Sequence, residues 1–178
     1  MTGSGEYLFD FVTCLFLGYL QFMALVRILI DGYSLLHSWP ELAPGKPRYS
    51  QTAREELLHQ LTLYRDAVGT PITVVFDGAN ADIKLSSVES TPELEILFSR
   101  AGQTADQIIE RAAHRLSAYG EVLVITDDHA ERDTVFSVGG MSASCLSFIQ
   151  MVASALSEQQ DDIKHYNRSE RNRFNRNR

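Results

Sequence analysis

The sequence predicts an α/β domain, a three-layer sandwich whose mostly parallel central sheet of about four to five strands carries helices on both faces. Three observations lead there. Short runs rich in β-branched residues, Val26–Ile30, Ile72–Phe76 and Val122–Thr126, are apolar along both faces, as buried parallel strands are. Stretches with helical spacing, opened by hydroxyl residues and closed by glycine, lie between them. Each run also stops at aspartate, Asp31, Asp77 or Asp127-Asp128, where open parallel sheets place their sites.

In chain order, Val26–Ile30 is the first strand, and Gly32 permits a sharp exit after Asp31. A loop is expected from Leu35 to Gln51, since Trp39-Pro40, Pro44-Gly45 and Pro47 are breaker signals. Thr52 is the expected N-cap of the next helix, with Glu55 completing a capping box. Leu57, Leu58, Leu61, Tyr64 and Val68 follow at helical spacing, and Gly69 closes the helix. Pro71 opens the second strand. A polar loop runs from Ala79 to about Pro92, and Leu94–Phe98 reads as a third strand.

Thr104 and Gln107 form a second capping box, with Ala105, Ile108, Ile109, Ala112, Leu116 and Tyr119 as the buried stripe before Gly120. Val122–Thr126 is the fourth strand. A short helix from His129 to about Phe136 follows, broken by Gly139-Gly140, and Met141–Ala143 is a short fifth strand. Ser144 caps a last helix whose inner face is expected to be Leu146, Ile149, Val152, Ala153 and Leu156.

A length of 178 residues suits one domain with a full core. The net charge of −7 is uneven: residues 164–178 carry +5, so the remainder carries −12. The chain divides into an N-terminal extension (1–24), the globular domain (25–160) and an Arg/Asn-rich tail (161–178) expected to be disordered. The acidic body repels nucleic acid at long range, so binding would have to come from a metal, a local basic rim or the tail. Cys14 and Cys145 have no metal-ligand spacing and read as reduced cysteines of a cytoplasmic protein. Residues 7–25 are apolar, but Asp10 and Gln21 interrupt them and no basic residue precedes them. An upstream extension with the start at Met23 is expected ahead of a packed helix or a membrane anchor, and no stable membrane association is expected.

Right-handed crossovers put all strand ends on one sheet edge, together with the start of the Thr104 helix. Asp31, Asp77, Asp106 and Asp128 then share a rim, with Asp127 beside the last. A single aspartate there is commonly a turn residue, a helix cap or a first-turn acid. Several on one edge repel each other unless a cation neutralises them. Oxygen ligands without a Cys or His cluster point to Mg²⁺ or Mn²⁺, and such ions suit phosphodiester hydrolysis.

The segments Asp31-Gly32-Tyr33-Ser34, Val75-Phe76-Asp77, Gly102-Gln103-Thr104-Ala105-Asp106 and Val124-Ile125-Thr126-Asp127-Asp128-His129-Ala130-Glu131, in that order, resemble the YacP-like NYN domain family of the PIN-like nucleases. The resemblance covers about Val26 to Ser157; the Thr-Ala-Asp helix start and the late Asp-x-x-Glu are its more specific parts. It implies a PIN-like fold and metal-dependent endoribonuclease activity, with Asp31, Asp77, Asp106 and Asp128 as the acids. The first motif usually ends in Asn, where this chain has Ser34, shorter and with a different hydrogen-bonding set. Asp127 stands where a small hydroxyl residue is common, and would be an additional ligand or a distortion.

Arg48, Arg54, Arg100 and Arg132, with Lys46, map to loops or helix starts on the acidic edge and are candidates for RNA phosphates, or else solvated charges. Tyr33 is a candidate for base stacking or a loop anchor, and Ser34 for RNA contact. The tail arginines are candidates for sequence-independent RNA binding. The expected function is therefore a cytoplasmic metal-dependent endoribonuclease with RNA as partner and the ribosome as a further candidate partner. The alternatives are an RNA-binding or interaction module with weakened catalysis and a DNA-directed nuclease. No Gly-x-x-x-x-Gly-Lys or Gly-x-Ser-x-Gly motif supports an NTPase or a serine hydrolase.

Overall fold

Strand β1 (Leu25–Asp31) lies at the centre of the molecule, and the other strands are arranged around it. The computed structural model describes residues 25–78, 90–137 and 139–176. The expected N-terminal extension and most of the loop after Gly78 lie outside the described residues. Helix α1 (Gly32–Ser38) follows β1, and a short 3₁₀ turn (Pro40–Leu42) leads to α2 (Gln51–Val68). Then come β2 (Ile72–Phe76), β3 (Leu94–Phe98), α3 (Ala105–Leu116), β4 (Glu121–Ile125), α4 (His129–Ser137), β5 (Met141–Ala143) and α5 (Cys145–Arg176). The five strands run parallel in the order β3-β2-β1-β4-β5.

Alternation along β1 divides the core. Ile28 and Ile30 face α1, α2 and α5, packing with Leu57, Leu61, Tyr64 and Phe148; Leu29 faces α3 and α4, packing with Ile109, Ala113 and Val135. The order reverses direction at β1, whose neighbours β2 and β4 lead to opposite edges of the sheet. The carboxyl ends of β1 and β4 therefore flank a topological switch point, the usual position of a site in such a sheet.

Several local expectations are corrected. The segment expected as loop from Leu35 contains most of α1, because Asp31 caps that helix by accepting from the backbone N–H groups of Tyr33 and Ser34. Gly32, the first residue of α1, lies against the Phe76 ring, which leaves no room for a Cβ. Helix α2 is capped by Ser50, whose hydroxyl accepts from Ala53 N–H, and not by Thr52. The capping box of Thr104 and Gln107 is present, but α3 stops at Leu116, so Tyr119 is 76% exposed and outside the core.

On α5 the inner face is built from Cys145, Phe148 and Val152, with Ile149 and Leu156 against it; Leu146 and Ala153 are exposed. The tail expected as disordered continues α5 to Arg176. Residues 157–169 are all exposed, in keeping with a composition that cannot build a core. A helix already nucleated on the domain extends at little cost through a segment without Gly or Pro, and the Lys164–Asp161 ion pair supports it. Among the described residues no helix is long and apolar enough to cross a membrane.

Candidate active site

The acidic edge is assembled from the ends of four elements. Asp31 ends β1, Asp77 follows β2, Asp106 lies in the first turn of α3, and Asp128 precedes α4. Burial is the first cause raising the Asp106 carboxyl above the usual range, followed by the charges of Asp31, Asp128 and Asp77. The four acids expected to converge are thus electrostatically joined.

Local hydrogen bonds aim them. Asp31 Oδ1 accepts from Tyr33 N at 3.0 Å and Ser34 N at 3.3 Å, and its Oδ2 accepts from Ser34 Oγ at 2.6 Å. The serine that replaces the usual asparagine therefore reaches the carboxylate and fixes it. Asp77 Oδ1 accepts from Ser99 Oγ at 2.8 Å, and that hydroxyl also accepts from Gly78 N. Asp128 Oδ1 accepts from Ala130 N at 2.8 Å, while Asp128 N donates to Thr126 Oγ1 at 3.1 Å.

Glu131 is the residue that the sequence reasoning left out of the site. It lies in the first turn of α4, is 6% exposed, and its carboxylate oxygens have no hydrogen-bond partner of ordinary geometry among the described residues. Burial pushes its pKa from 4.5 to about 7; the nearby Thr126 hydroxyl offsets part of this, and Asp106, Asp31 and Asp128 add to the rise. The signal for it was present in the late Asp-x-x-Glu pattern, but burial of the glutamate is a tertiary fact.

Asp127, expected as an additional ligand or a distortion, holds neighbouring elements together. Its Oδ1 accepts from Cys145 N at 3.0 Å and from Arg132 at 3.3 Å, and its Oδ2 accepts from Ser38 Oγ at 2.8 Å. These contacts tie the end of β4 to α1 and to the start of α5. The Cys145 backbone, Ser38 and Arg132 outweigh partial burial and hold the carboxyl below its usual range. Cys145 itself is buried, with its thiol pushed up to about 12 chiefly by burial, and is unreactive.

The other expected RNA contacts separate. Tyr33 is half-buried between Tyr49 and Phe76, edge-on to both, which anchors α1. Arg48 donates to His37, Arg54 to the Tyr49 carbonyl, and Arg132 to the Thr126 carbonyl. Of these four arginines only Arg100, exposed just past β3, has no side-chain hydrogen bond or ion pair among the described residues. A small hollow of about 250 Å³ beside Asp31 is lined by Tyr33, Ser34, His37 and Tyr49.

Among the described residues, no three His, Cys, Asp or Glu side chains are drawn together tightly enough to grip one ion by direct contact. An Mg²⁺-type ion is commonly held by one or two carboxylates and keeps several waters. The all-oxygen donor set and the orphaned Glu131 carboxylate fit such an ion.

The model of the YacP-like NYN domain matches residues 28–177, nearly all of the described chain. The chain belongs to the YacP-like NYN domain family. It is 29% identical over 126 residues to the uncharacterized protein YacP of Bacillus subtilis (strain 168), covering 70% of this chain and 74% of that protein. Crystal structures of Rae1 (YacP) from Bacillus subtilis share the fold. A mutant form of it superposes with a TM-score of 0.66 at 24% identity, over 79% of this chain and 83% of that one. A second crystal structure gives 0.67 at 23% identity, over 81% and 83% respectively. The sheet with its flanking helices is thus the PIN-like nuclease fold of the NYN family. Both the family and the architecture agree with what the motifs implied.

Proposed function

We propose that this NYN domain is a metal-dependent endoribonuclease that hydrolyses RNA phosphodiester bonds at the acidic edge. Asp31, Asp77, Asp106 and Asp128 would hold Mg²⁺ or Mn²⁺, in part through water. Bound there, the ion supplies an activated water and stabilises the charge developing on the phosphate. Asp31, fixed by the start of α1 and by Ser34, and Asp128, fixed by the start of α4, set the geometry of the two sides of the switch point. Asp77 is oriented from the β3 side by Ser99. With its pKa raised to about 7, Glu131 can take up or release a proton near neutral pH.

Glu131 is the observation that carries the reading. A buried carboxylate with no well-formed hydrogen bond among the described residues, set beside several other acids, is costly for a fold and common at catalytic sites. Family membership supports the same conclusion. The test is to incubate the protein with single-stranded and structured RNA and with DNA, with and without Mn²⁺, beside Asp31→Asn. Mn²⁺-dependent internal cleavage of RNA, lost in the variant, is expected. RNA binding with no cleavage under any condition would replace the enzyme by a binding module, and cleavage of DNA alone would replace the substrate.

A further inference from the structure

On the sheet face that carries α3, the helix rests over β1, β4 and β2 and, among the described residues, leaves the β3 side open. A groove of about 800 Å³ runs there, between α3 and the edge of the sheet. Its walls carry Arg27, Arg100, Arg111 and Arg115, against a single carboxylate among the described residues, Glu95. This is a basic channel in a body whose charge is otherwise strongly negative.

The arginines are not equivalent. Arg27 is fixed in the floor, donating to Thr73 Oγ1 and to the Pro92 carbonyl at 3.0 Å each, with Glu95 at 3.8 Å. Arg111 donates from Nε to the Gln107 carbonyl and is directed along the helix, with Gln103 beside it. Arg100 and Arg115 are exposed and have no carboxylate partner among the described residues. Arg111 and Arg115 are one helical turn apart on the same side of α3.

The groove begins at the acidic edge. Arg100 follows Ser99, the residue that holds Asp77, and Asp106 lies in the first turn of α3. From there α3, of 12 residues, descends about 18 Å along the sheet. The arginines therefore mark a path leading away from the acids. Between them the surface is apolar, with Leu97, Ile108 and Leu116 lining it, which suits the faces of unpaired bases better than a purely ionic partner.

We propose that this groove binds single-stranded RNA, guiding the segment that flanks the cleavage site down the side of the domain. The choice of RNA as the polyanion rests on the nuclease reading of the adjacent edge; the groove and its charge do not. Arg111 and Arg115 contact phosphates, Arg100 marks the entry, and the apolar strip between receives bases.

The experiment measures binding of a labelled oligouridylate to the full chain in EDTA, where neither metal nor cleavage contributes, across a salt series. Arg111→Gln/Arg115→Gln should weaken binding about tenfold at low salt and reduce the slope of log K against log salt by about 1.4, about 0.7 for each lost phosphate contact. Arg115→Gln alone, near the end of the helix, should give half that change and stands in if the double variant does not fold. Arg65→Gln, on the opposite face, should leave the slope unchanged. An unchanged slope in the groove variants would overturn the proposal. So would polyglutamate displacing the oligouridylate as well as unlabelled RNA does, since the groove would then be a site for acidic protein. The expected binding without cleavage in Mn²⁺ would remove the nuclease reading and keep the groove. Cleavage with an unaltered slope would do the reverse.

Discussion

Replacing Glu131 with glutamine should stabilise the metal-free protein at pH 8 and do so several-fold less at pH 5. In the unfolded chain this carboxyl titrates near 4.5; in the folded protein burial and its acidic neighbours move it to about 7. Between those values the native state keeps a proton that the unfolded state has lost, so native stability falls as pH rises through this window and levels off above it. A displacement of that size corresponds to at most about 3 kcal/mol, and water at the rim reduces the expectation to about 2 kcal/mol. Glutamine resembles the protonated acid in shape and never ionises, so it escapes the loss. For a chain of this length the melting temperature of Glu131→Gln should exceed that of the wild type by about 4–8 °C at pH 8. Thermal unfolding followed by circular dichroism in EDTA at both pH values measures this. Equal melting temperatures at pH 8, or a variant destabilised to the same extent at both, would show that Glu131 is neither strained nor charged in the way its burial implies.

Three other changes probe the neighbouring contacts. Ser34→Ala removes a hydroxyl donated to an ionised acid, a bond worth about 1.5–3 kcal/mol, and should lower kcat about tenfold or more with little change in KM, whereas Ser34→Asn should retain activity. Asp127→Ala should cost about 1–2 kcal/mol in urea unfolding through the lost Ser38 and Cys145 contacts, yet leave Mn²⁺ affinity close to wild type, as a structural carboxylate requires. Deleting Asn167–Arg178 should weaken RNA binding and flatten its salt dependence, and it should also remove helical circular-dichroism signal, which a disordered tail would not supply.

The sheet was legible because β1, β2 and β4 are short, β-branched and closed by Asp-Gly or Asp-Asp, signals that depend on neighbours in sequence alone. The four acids followed from topology, since parallel strands necessarily end on the same edge. Helix α1 was hidden because the residue that caps it, Asp31, is also the last residue of β1, and prolines follow within a few positions. Ser50 and Thr52 are both hydroxyl residues able to cap, and only backbone geometry decides between them. Tyr119 and Leu146 carry the right spacing, but one lies beyond the end of its helix and the other faces outward. Glu131 could not be distinguished from a solvated glutamate by composition, because its burial comes from the packing of α4 against elements distant in the chain. The arginine groove was equally invisible, drawing on residues from β1, β3 and α3 that are far apart in sequence.

The proposed metal site requires these carboxylates to share a cation. Calorimetric titration of Mn²⁺ into the protein at pH 6.5, in buffers of different ionisation enthalpy, tests it most directly. Saturable binding is expected, accompanied by release of up to about one proton per ion as Glu131 ionises, with both effects greatly reduced in Asp31→Asn and Asp106→Asn. Absence of binding in the wild type, or the same binding in both variants, would contradict it.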